Sequence, residues 1–148
     1  MRKALFIDRD GTINRDCPYC HDISQLFIYP DIPEIISEFR RKGYLAIVIS
    51  NQSGIGRGYF TKDECDRFNE EIKRRLSAMG AEIDAFYYCP HRPDENCRCR
   101  KPGTGLVEKA ASDLNIDVKN SFLIGNDDKI DGELARRLGI GYRIIERD

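Results

Sequence analysis

The sequence lacks tryptophan, holds only two histidines and two methionines, and carries no strong excess of one charge. Its 24 lysines and arginines nearly balance its 25 aspartates and glutamates, so no overall field attracts nucleic acid or an anionic membrane. No stretch reaches the ~18 apolar residues of a membrane-spanning helix. The apolar stretch near the amino terminus is too short for the core of a signal peptide. We therefore expect a cytoplasmic protein, a monomer, that binds neither nucleic acid nor membrane.

The composition is that of one packed domain. Apolar residues make up 41% and charged residues 33% of the 148 positions. This length matches one domain on the usual ~150-residue scale. We therefore treat residues 1–148 as a single domain.

Short apolar runs alternate with helical patterns along the chain. The helices have apolar residues three or four positions apart, and one begins at the capping box of Thr61 and Glu64. The predicted strands are 4–7, 45–49, 85–88, 122–124 and 142–145, and the predicted helices are 32–43, 61–80, 106–114 and 130–138. Such alternation favours a doubly wound parallel sheet, which binds ligands beyond the carboxyl ends of its strands.

Polar residues follow several of these predicted strands. Asp8 and Asp10 flank one residue at the end of the first strand, and Ser50 ends the second. Lys101 precedes the third predicted helix, and Asp127 follows the fourth strand. Two acids at a strand end suggest cation binding, although Asp-Gly alone would also suit a simple turn.

This order of acids, hydroxyl and lysine resembles the haloacid dehalogenase (HAD) superfamily of aspartate-nucleophile phosphatases. The segments 6–14 (FIDRDGTIN), 51–60 (NQSGIGRGYF) and 97–102 (CRCRKP) are similar to its heptose-bisphosphate and histidinol-phosphate phosphatase branch. The resemblance spans nearly the whole chain and implies an α/β, three-layer, Rossmann-like fold. Only 39 residues separate Asp10 from Ser50, too few for a separate cap domain there.

The resemblance also implies a role for each catalytic residue. Asp8 is the expected nucleophile, and Asp10 is the expected general acid and base. Ser50 is expected to donate a hydrogen bond to the phosphoryl group, and Lys101 to supply a fixed positive charge. Mg²⁺ is the expected catalytic cofactor, held by Asp8, Asp10 and Asp127.

The fourth motif departs from the family pattern. The family usually has Gly-Asp at this strand end, whereas here Asn126 stands between Gly125 and Asp127. Asp127 keeps the expected four-residue spacing to Asp131, the supporting acid. We therefore assign the metal to Asp127, with Asp128 as the alternative.

Three cysteines and one histidine share a short segment: Cys89, His91, Cys97 and Cys99. This is the ligand set of a structural, tetrahedral Zn²⁺ site, which leaves no open position for catalysis. The alternative is a set of unrelated loop thiols. Because Cys99 lies two residues before Lys101, a zinc-binding loop would hold that lysine and Arg100 in place.

Cys17 and Cys20 match two redox-related patterns, a glutaredoxin-like pair and a haem-attachment motif. Haem attachment normally requires export, and a reactive thiolate of the first kind should open a helix. Neither condition fits the surrounding sequence. We expect these two to be loop thiols near the active site, and Cys65 to be a buried thiol on a helix.

The substrate is expected to be a small phosphorylated metabolite. Arg57 and Arg100 lie inside the matched segments and are candidate substrate contacts, with Asn51 and Gln52 as orienting residues. Heptose 1,7-bisphosphate is the preferred substrate class, and histidinol phosphate is the alternative. Outside this class, the chain could be a non-catalytic zinc-stabilised module or a redox module that uses Cys17 and Cys20.

Overall fold

A computed structural model describes residues 1–147, and Asp148 lies outside the described residues. Five parallel strands form one sheet in the order β3-β2-β1-β4-β5. The strands are β1 (Ala4–Ile7), β2 (Leu45–Asn51), β3 (Ala85–Cys89), β4 (Phe122–Gly125) and β5 (Gly141–Ile144). The strand order reverses between β1 and β4, which is where such sheets open a ligand crevice.

Helices cover both faces of the sheet. On one face, apolar side chains of α1 (Ile32–Arg41) and α2 (Lys62–Ala78) pack against Leu5, Ile7 and Val48. On the other face, α3 (Gly105–Leu114) and α4 (Glu133–Leu138) pack against alternate residues of the same strands. Because both faces are covered, the central strands are apolar without alternation. The predicted three-layer α/β fold is confirmed.

Most strand and helix bounds lie within two residues of the predictions, and the clearest differences are in β2, β5 and the last helix. β2 continues to Asn51, because Ser50 and Asn51 remain paired with Tyr88 and Cys89 of β3. β5 begins one residue earlier than predicted, at Gly141. The last predicted helix is split into a π-helical turn, Asp128–Gly132, followed by α4.

The predicted start of α2 is confirmed in detail. The Thr61 hydroxyl accepts a hydrogen bond from the Glu64 amide (3.1 Å), and the Glu64 carboxylate accepts one from the Thr61 amide (2.9 Å). Two amides that a helix start leaves without partners are thereby bonded. Among the described residues, no helix is long and apolar enough to cross a membrane.

The packing of α2 can be tested at its inner face. Ile72 is fully buried against the sheet, whereas the adjacent Lys73 is exposed. We expect Ile72→Ala to lower the free energy of unfolding by about 2–4 kcal/mol, because it leaves a cavity. Chemical denaturation measures this change. Lys73→Ala is the control and should change stability by less than about 0.5 kcal/mol; equal effects of the two substitutions would contradict this packing.

Candidate active site

A buried ammonium group joins the ends of β1, β2 and β4. Lys101 Nζ donates hydrogen bonds to Asp8 Oδ1 (2.7 Å), Asp131 Oδ1 (2.9 Å) and the Ile49 carbonyl (3.1 Å). The second oxygen of Asp8 accepts a hydrogen bond from the Thr12 hydroxyl (3.1 Å). The predicted nucleophile is therefore held on both oxygens, and one of its partners carries a full positive charge.

Burial and charge act against each other in this cluster. Burial raises the pKa of Asp8 to about 6, while the Lys101 ammonium opposes this rise and Asp131 adds to it. Burial alone would lower the pKa of Lys101, but attraction to the two carboxylates outweighs it, and the pKa lies above its ordinary value. Lys101 therefore stays charged and can act as a fixed cation.

Gln52 links two of the predicted catalytic residues. Its side-chain amide donates to Asp10 Oδ2 (2.9 Å) and to the Ser50 hydroxyl (2.5 Å), and the residue is buried. We predicted that Gln52 orients the substrate. In the structure it contacts the predicted acid and base and also lines the adjoining cavity, so its role toward the substrate stays a prediction.

Asn51 forms a two-bond clamp on the backbone of Lys101. Its Oδ1 accepts a hydrogen bond from the Lys101 amide (2.8 Å), and its Nδ2 donates to the Lys101 carbonyl (3.1 Å). Asn51 was also predicted to contact the substrate. In the structure its amide group bonds the loop that presents Lys101, and Asn51 also lines both cavities of the site, so the substrate contact stays a prediction.

A π-helical turn, Asp128–Gly132, follows the fourth motif. The Gly132 amide donates to the Asp127 carbonyl, five residues back (3.3 Å). This wider turn brings Asp131 onto Lys101 and lets its other oxygen accept from the amides of Asn126 and Asp127 (3.2 and 3.3 Å). Gly125 lies directly beneath the Asp131 carboxylate, where a side chain would collide with it.

The predicted magnesium ligands face one cavity. A cavity of about 220 Å³ is lined by Asp8, Asp10 and Asp127, and also by Asn126. Hard oxygen donors of this kind suit Mg²⁺. Asp128, the alternative ligand, instead pairs with Arg136 at 3.0 Å, outside the residues that line this cavity.

The four predicted zinc ligands converge at the end of β3. Their ligand atoms all lie within 4.8 Å of one another. Cys89 Sγ is 3.4 Å from Cys97 Sγ, and His91 Nδ1 is 3.2 Å from Cys99 Sγ. Three sulfurs and one ring nitrogen at these separations fit a tetrahedral metal site that has no position left for substrate.

The expectation of free thiols at Cys17 and Cys20 is wrong, because the two form a disulfide. Tyr19 between them has a left-handed backbone (φ 53°), and the resulting turn brings their Cα atoms to 5.2 Å. Cys17 lines the cavity beside Asp10, so the expected position near the site is right. Cys65 is buried on α2, as predicted.

The predicted substrate arginines differ in their surroundings. Arg100 lines both the 220 Å³ cavity and an adjoining cavity of about 500 Å³, and its buried Nη1 has no partner in the described part of the chain. Arg57 is exposed and donates to the Ser53 hydroxyl (3.3 Å). Arg92 and Arg98 lie at the surface, where they pair with Asp94 and Glu108.

No role was assigned from the sequence to Arg9, Asn14 and Asp16, which lie in the loop that follows β1. Asn14 donates to Asp10 Oδ1 (3.0 Å), and Arg9 bonds both oxygens of Asp10 (3.0 Å each). Both residues lie in the matched segment 6–14, and this was the one feature of the sequence that could have indicated a role for them at the site. Asp16 lines three neighbouring cavities, and nothing in its sequence context indicated this position.

Comparison with known proteins agrees with this geometry. Residues 9–130 match the family described as polynucleotide kinase 3 phosphatase. A relative from Thermoplasma acidophilum, named "Probable D-glycero-D-manno-heptose-1,7-bisphosphate 7-phosphatase", is 53% identical over 97% of this chain and 89% of its own. The chain belongs to the heptose-bisphosphate phosphatase family of the HAD superfamily.

Other members of this phosphatase family are similar over most of their length. The D-glycero-beta-D-manno-heptose-1,7-bisphosphate 7-phosphatase of Pasteurella multocida is 40% identical over 91% of this chain and 76% of its own. The crystal structure of D,D-heptose 1,7-bisphosphate phosphatase from B. bronchiseptica, complexed with magnesium and phosphate, superposes with a TM-score of 0.86. It is 27% identical, and the match covers 96% of this chain and 79% of that one. The predicted superfamily and the phosphatase activity are thereby confirmed.

The Asn51 clamp predicts a specific kinetic change. Asn51→Ala removes both hydrogen bonds to the Lys101 backbone, so the ammonium should lose its fixed position. We expect kcat for phosphate release to fall about tenfold or more, with little change in KM. Asn120→Ala, at an exposed asparagine that bonds Asp117, is the matched control. A rise in KM at unchanged kcat would instead support the original interpretation of Asn51 as a substrate contact.

Proposed function

We propose that this phosphatase is a Mg²⁺-dependent phosphomonoester hydrolase that works through an aspartyl-phosphate on Asp8. Its proposed substrate is heptose 1,7-bisphosphate, cleaved at the 7-phosphate. One observation carries the proposal: Asp8 lies buried at a strand end, bonded to the Lys101 ammonium and facing a cavity that it shares with Asp10. The names of the relatives support the choice of sugar.

In the first step, an oxygen of Asp8 attacks phosphorus and the bond from phosphorus to the leaving oxygen breaks. Asp10 gives its proton to that leaving oxygen, which becomes a hydroxyl group of the departing sugar 1-phosphate. Lys101 stabilises the charge around the transferring group without changing protonation state. Ser50 lines the cavity and accepts a hydrogen bond from Gln52, and its hydroxyl is the proposed donor to a phosphoryl oxygen.

In the second step, water attacks the phosphorus of the aspartyl-phosphate. Asp10, now ionised, takes a proton from this water, and the bond between phosphorus and Asp8 breaks. Inorganic phosphate leaves, and both aspartates return to their starting states. The carboxylates of Asp8 and Asp127, with the backbone carbonyl of Asp10, would hold Mg²⁺, which supplies charge neutralisation between two anionic reactants.

The larger cavity suits the sugar of the proposed substrate. It has a volume of about 500 Å³ and lies next to Asp10, where the leaving oxygen must be. Its wall carries polar side chains and Arg100, whose buried Nη1 has no partner among residues 1–147. A buried donor without a partner is costly, so a hydroxyl or second phosphate of the substrate is the proposed acceptor.

The test is phosphate release from heptose 1,7-bisphosphate, histidinol phosphate and simple sugar phosphates, each with and without Mg²⁺. We expect the heptose bisphosphate to have the highest kcat/KM, and Mg²⁺ to be required. Preference for histidinol phosphate would overturn the proposed substrate but not the mechanism. Equal rates without Mg²⁺ would overturn the proposed cofactor.

Two variants separate the phosphatase from a redox module. Asp8→Asn should reduce phosphate release to the background level, because an amide cannot act as the nucleophile. The double variant Cys17→Ser with Cys20→Ser should retain most of the activity, because the proposed phosphatase mechanism uses neither sulfur atom. Retention of wild-type activity by Asp8→Asn would contradict the mechanism, and complete loss in the serine variant would favour a redox role.

We also propose that the cluster of Cys89, His91, Cys97 and Cys99 holds structural Zn²⁺. The loop between its last ligand and Lys101 has only one residue, Arg100. A metal that fixes Cys99 therefore limits the positions open to both basic residues. In this proposal zinc acts on catalysis only through the placement of these side chains.

Cys97→Ser tests the zinc proposal. We expect the zinc content, measured by elemental analysis, to fall from about one per chain to well below half. We also expect a Tm lower by several degrees and a reduced kcat, because the loop that presents Lys101 loses its anchor. Asp94→Asn lies on the same loop, where Asp94 pairs with Arg92, and should retain both zinc and activity. Unchanged zinc content in Cys97→Ser would refute this ligand set.

A further inference from the structure

Arg9 is a charged side chain with no exposed surface. It heads the largest fully buried side chains among the described residues, with 0% exposure. A buried guanidinium is strongly destabilising unless its donors are all bonded. Its surroundings must therefore contain an acceptor for each of its five N–H groups.

The acceptors come from three parts of the chain. Nε and Nη2 donate to the two oxygens of Asp10, each at 3.0 Å, and Nη2 also donates to the Cys20 carbonyl (3.0 Å). Nη1 donates to Asn69 Oδ1 (2.9 Å) and faces the sulfur of Cys65 at 3.9 Å. All five donors are thereby used.

Side chains of helix α2 contact the Arg9 guanidinium. Cys65 and Asn69, both on α2, provide the Nη1 contacts, and the ring of Phe68 lies 4.6 Å from the guanidinium carbon. Cation and ring at this distance attract each other. Arg9 therefore joins a rigid helix to Asp10 in the first active-site loop.

The Asp10 carboxylate is bonded at every position that it offers. Besides the Arg9 fork, Asn14 Nδ2 donates to Oδ1 (3.0 Å) and Gln52 Nε2 donates to Oδ2 (2.9 Å). A carboxylate has about four lone-pair sites, and all four of those of Asp10 are occupied. When Asp10 carries a proton as the general acid, that proton must therefore replace one of these donors. Gln52 lines the cavity, whereas Arg9 and Asn14 are fully buried. Gln52 is thus the donor that can be exchanged, and Arg9 is the one that remains.

We propose that Arg9 is a positioning residue, which holds the Asp10 carboxylate at the leaving oxygen and at the attacking water through its two-bond fork. The inference rests on the proposed function of Asp10 as general acid and base. It explains why arginine is needed at this position. A lysine ammonium is a point charge that lacks the planar fork and cannot bond two carboxylate oxygens, Cys20 and Asn69 in this arrangement.

The test uses the different needs of the two chemical steps. p-Nitrophenolate is a stable leaving group that needs no proton, so formation of the aspartyl-phosphate does not depend on Asp10. Hydrolysis of that intermediate still needs Asp10 as a base. In Arg9→Lys with p-nitrophenyl phosphate and Mg²⁺, we therefore expect a burst of about one p-nitrophenolate per active site. The steady rate that follows should be about 10²-fold below that of the wild type.

With a sugar phosphate, the same variant should show no burst, because loss of the positioned acid already slows the first step. Its kcat should fall about 10²-fold, with KM changed much less. Asn69→Leu keeps Arg9 but removes one of its anchors, and we expect a smaller effect of the same kind. It keeps the inference testable if Arg9→Lys does not fold.

Arg75→Lys is the matched control. Arg75 also lies on α2 and donates to a loop carbonyl, that of Leu26 (3.0 Å), but none of its hydrogen bonds reaches the site. It should retain wild-type kinetics within about twofold. The positioning role is overturned if folded Arg9→Lys and Asn69→Leu show no burst and equal losses on both substrates. If the wild type needs no Mg²⁺ or Asp8→Asn stays active, the proposed function itself fails, which is a separate result.

Discussion

The site depends on one buried ion cluster, in which Lys101 lies between Asp8 and Asp131. The lysine comes from the loop after the Cys/His cluster, and the two acids come from the segments after β1 and β4. Removing one partner of such a cluster costs about 3–5 kcal/mol, because a buried charge is left uncompensated. The two carboxylates exceed the single ammonium by one negative charge. The cavity beside them is therefore suited to a further cation, which the proposed Mg²⁺ would provide.

This cluster places a strict demand on the chain that carries Lys101. Fixing the backbone of a loop residue in one conformation costs about 1–2 kcal/mol of free energy, because conformational entropy is lost. Two features of the structure limit this loss. The converging ligands Cys89, His91, Cys97 and Cys99 close the loop on one side, and Asn51 bonds both backbone groups of Lys101 on the other. The metal-ligand loop and the end of β2 thus serve the same purpose, although neither contributes the ammonium itself.

The strands and most of the helices could be predicted from sequence, whereas several contacts could not. Apolar runs mark β1 and β4 because both faces of the sheet are buried, but β5 is half-exposed, and its limits were displaced by one residue. Asn51 and Gln52 were predicted to orient the substrate, and both lie in the matched segment 51–60. Their contacts with Lys101 and Asp10 depend on loops that meet only in three dimensions. The π-helical turn and the disulfide depend on backbone angles that residue types do not specify.

The two catalytic acids differ in the cation that each one contacts, and this difference matches their proposed roles. Lys101 bonds a single oxygen of Asp8, so the charge is stabilised while the carboxylate keeps lone pairs for the metal and for phosphorus. Arg9 bonds both oxygens of Asp10 and so fixes the plane of its carboxylate. In the proposed mechanism this carboxyl group first gives a proton to the leaving oxygen and then takes one from the attacking water. A nucleophile needs a nearby charge, and a proton carrier needs a fixed orientation. The short sequence from Asp8 to Asp10 therefore meets two electrostatic requirements with two chemically different cations.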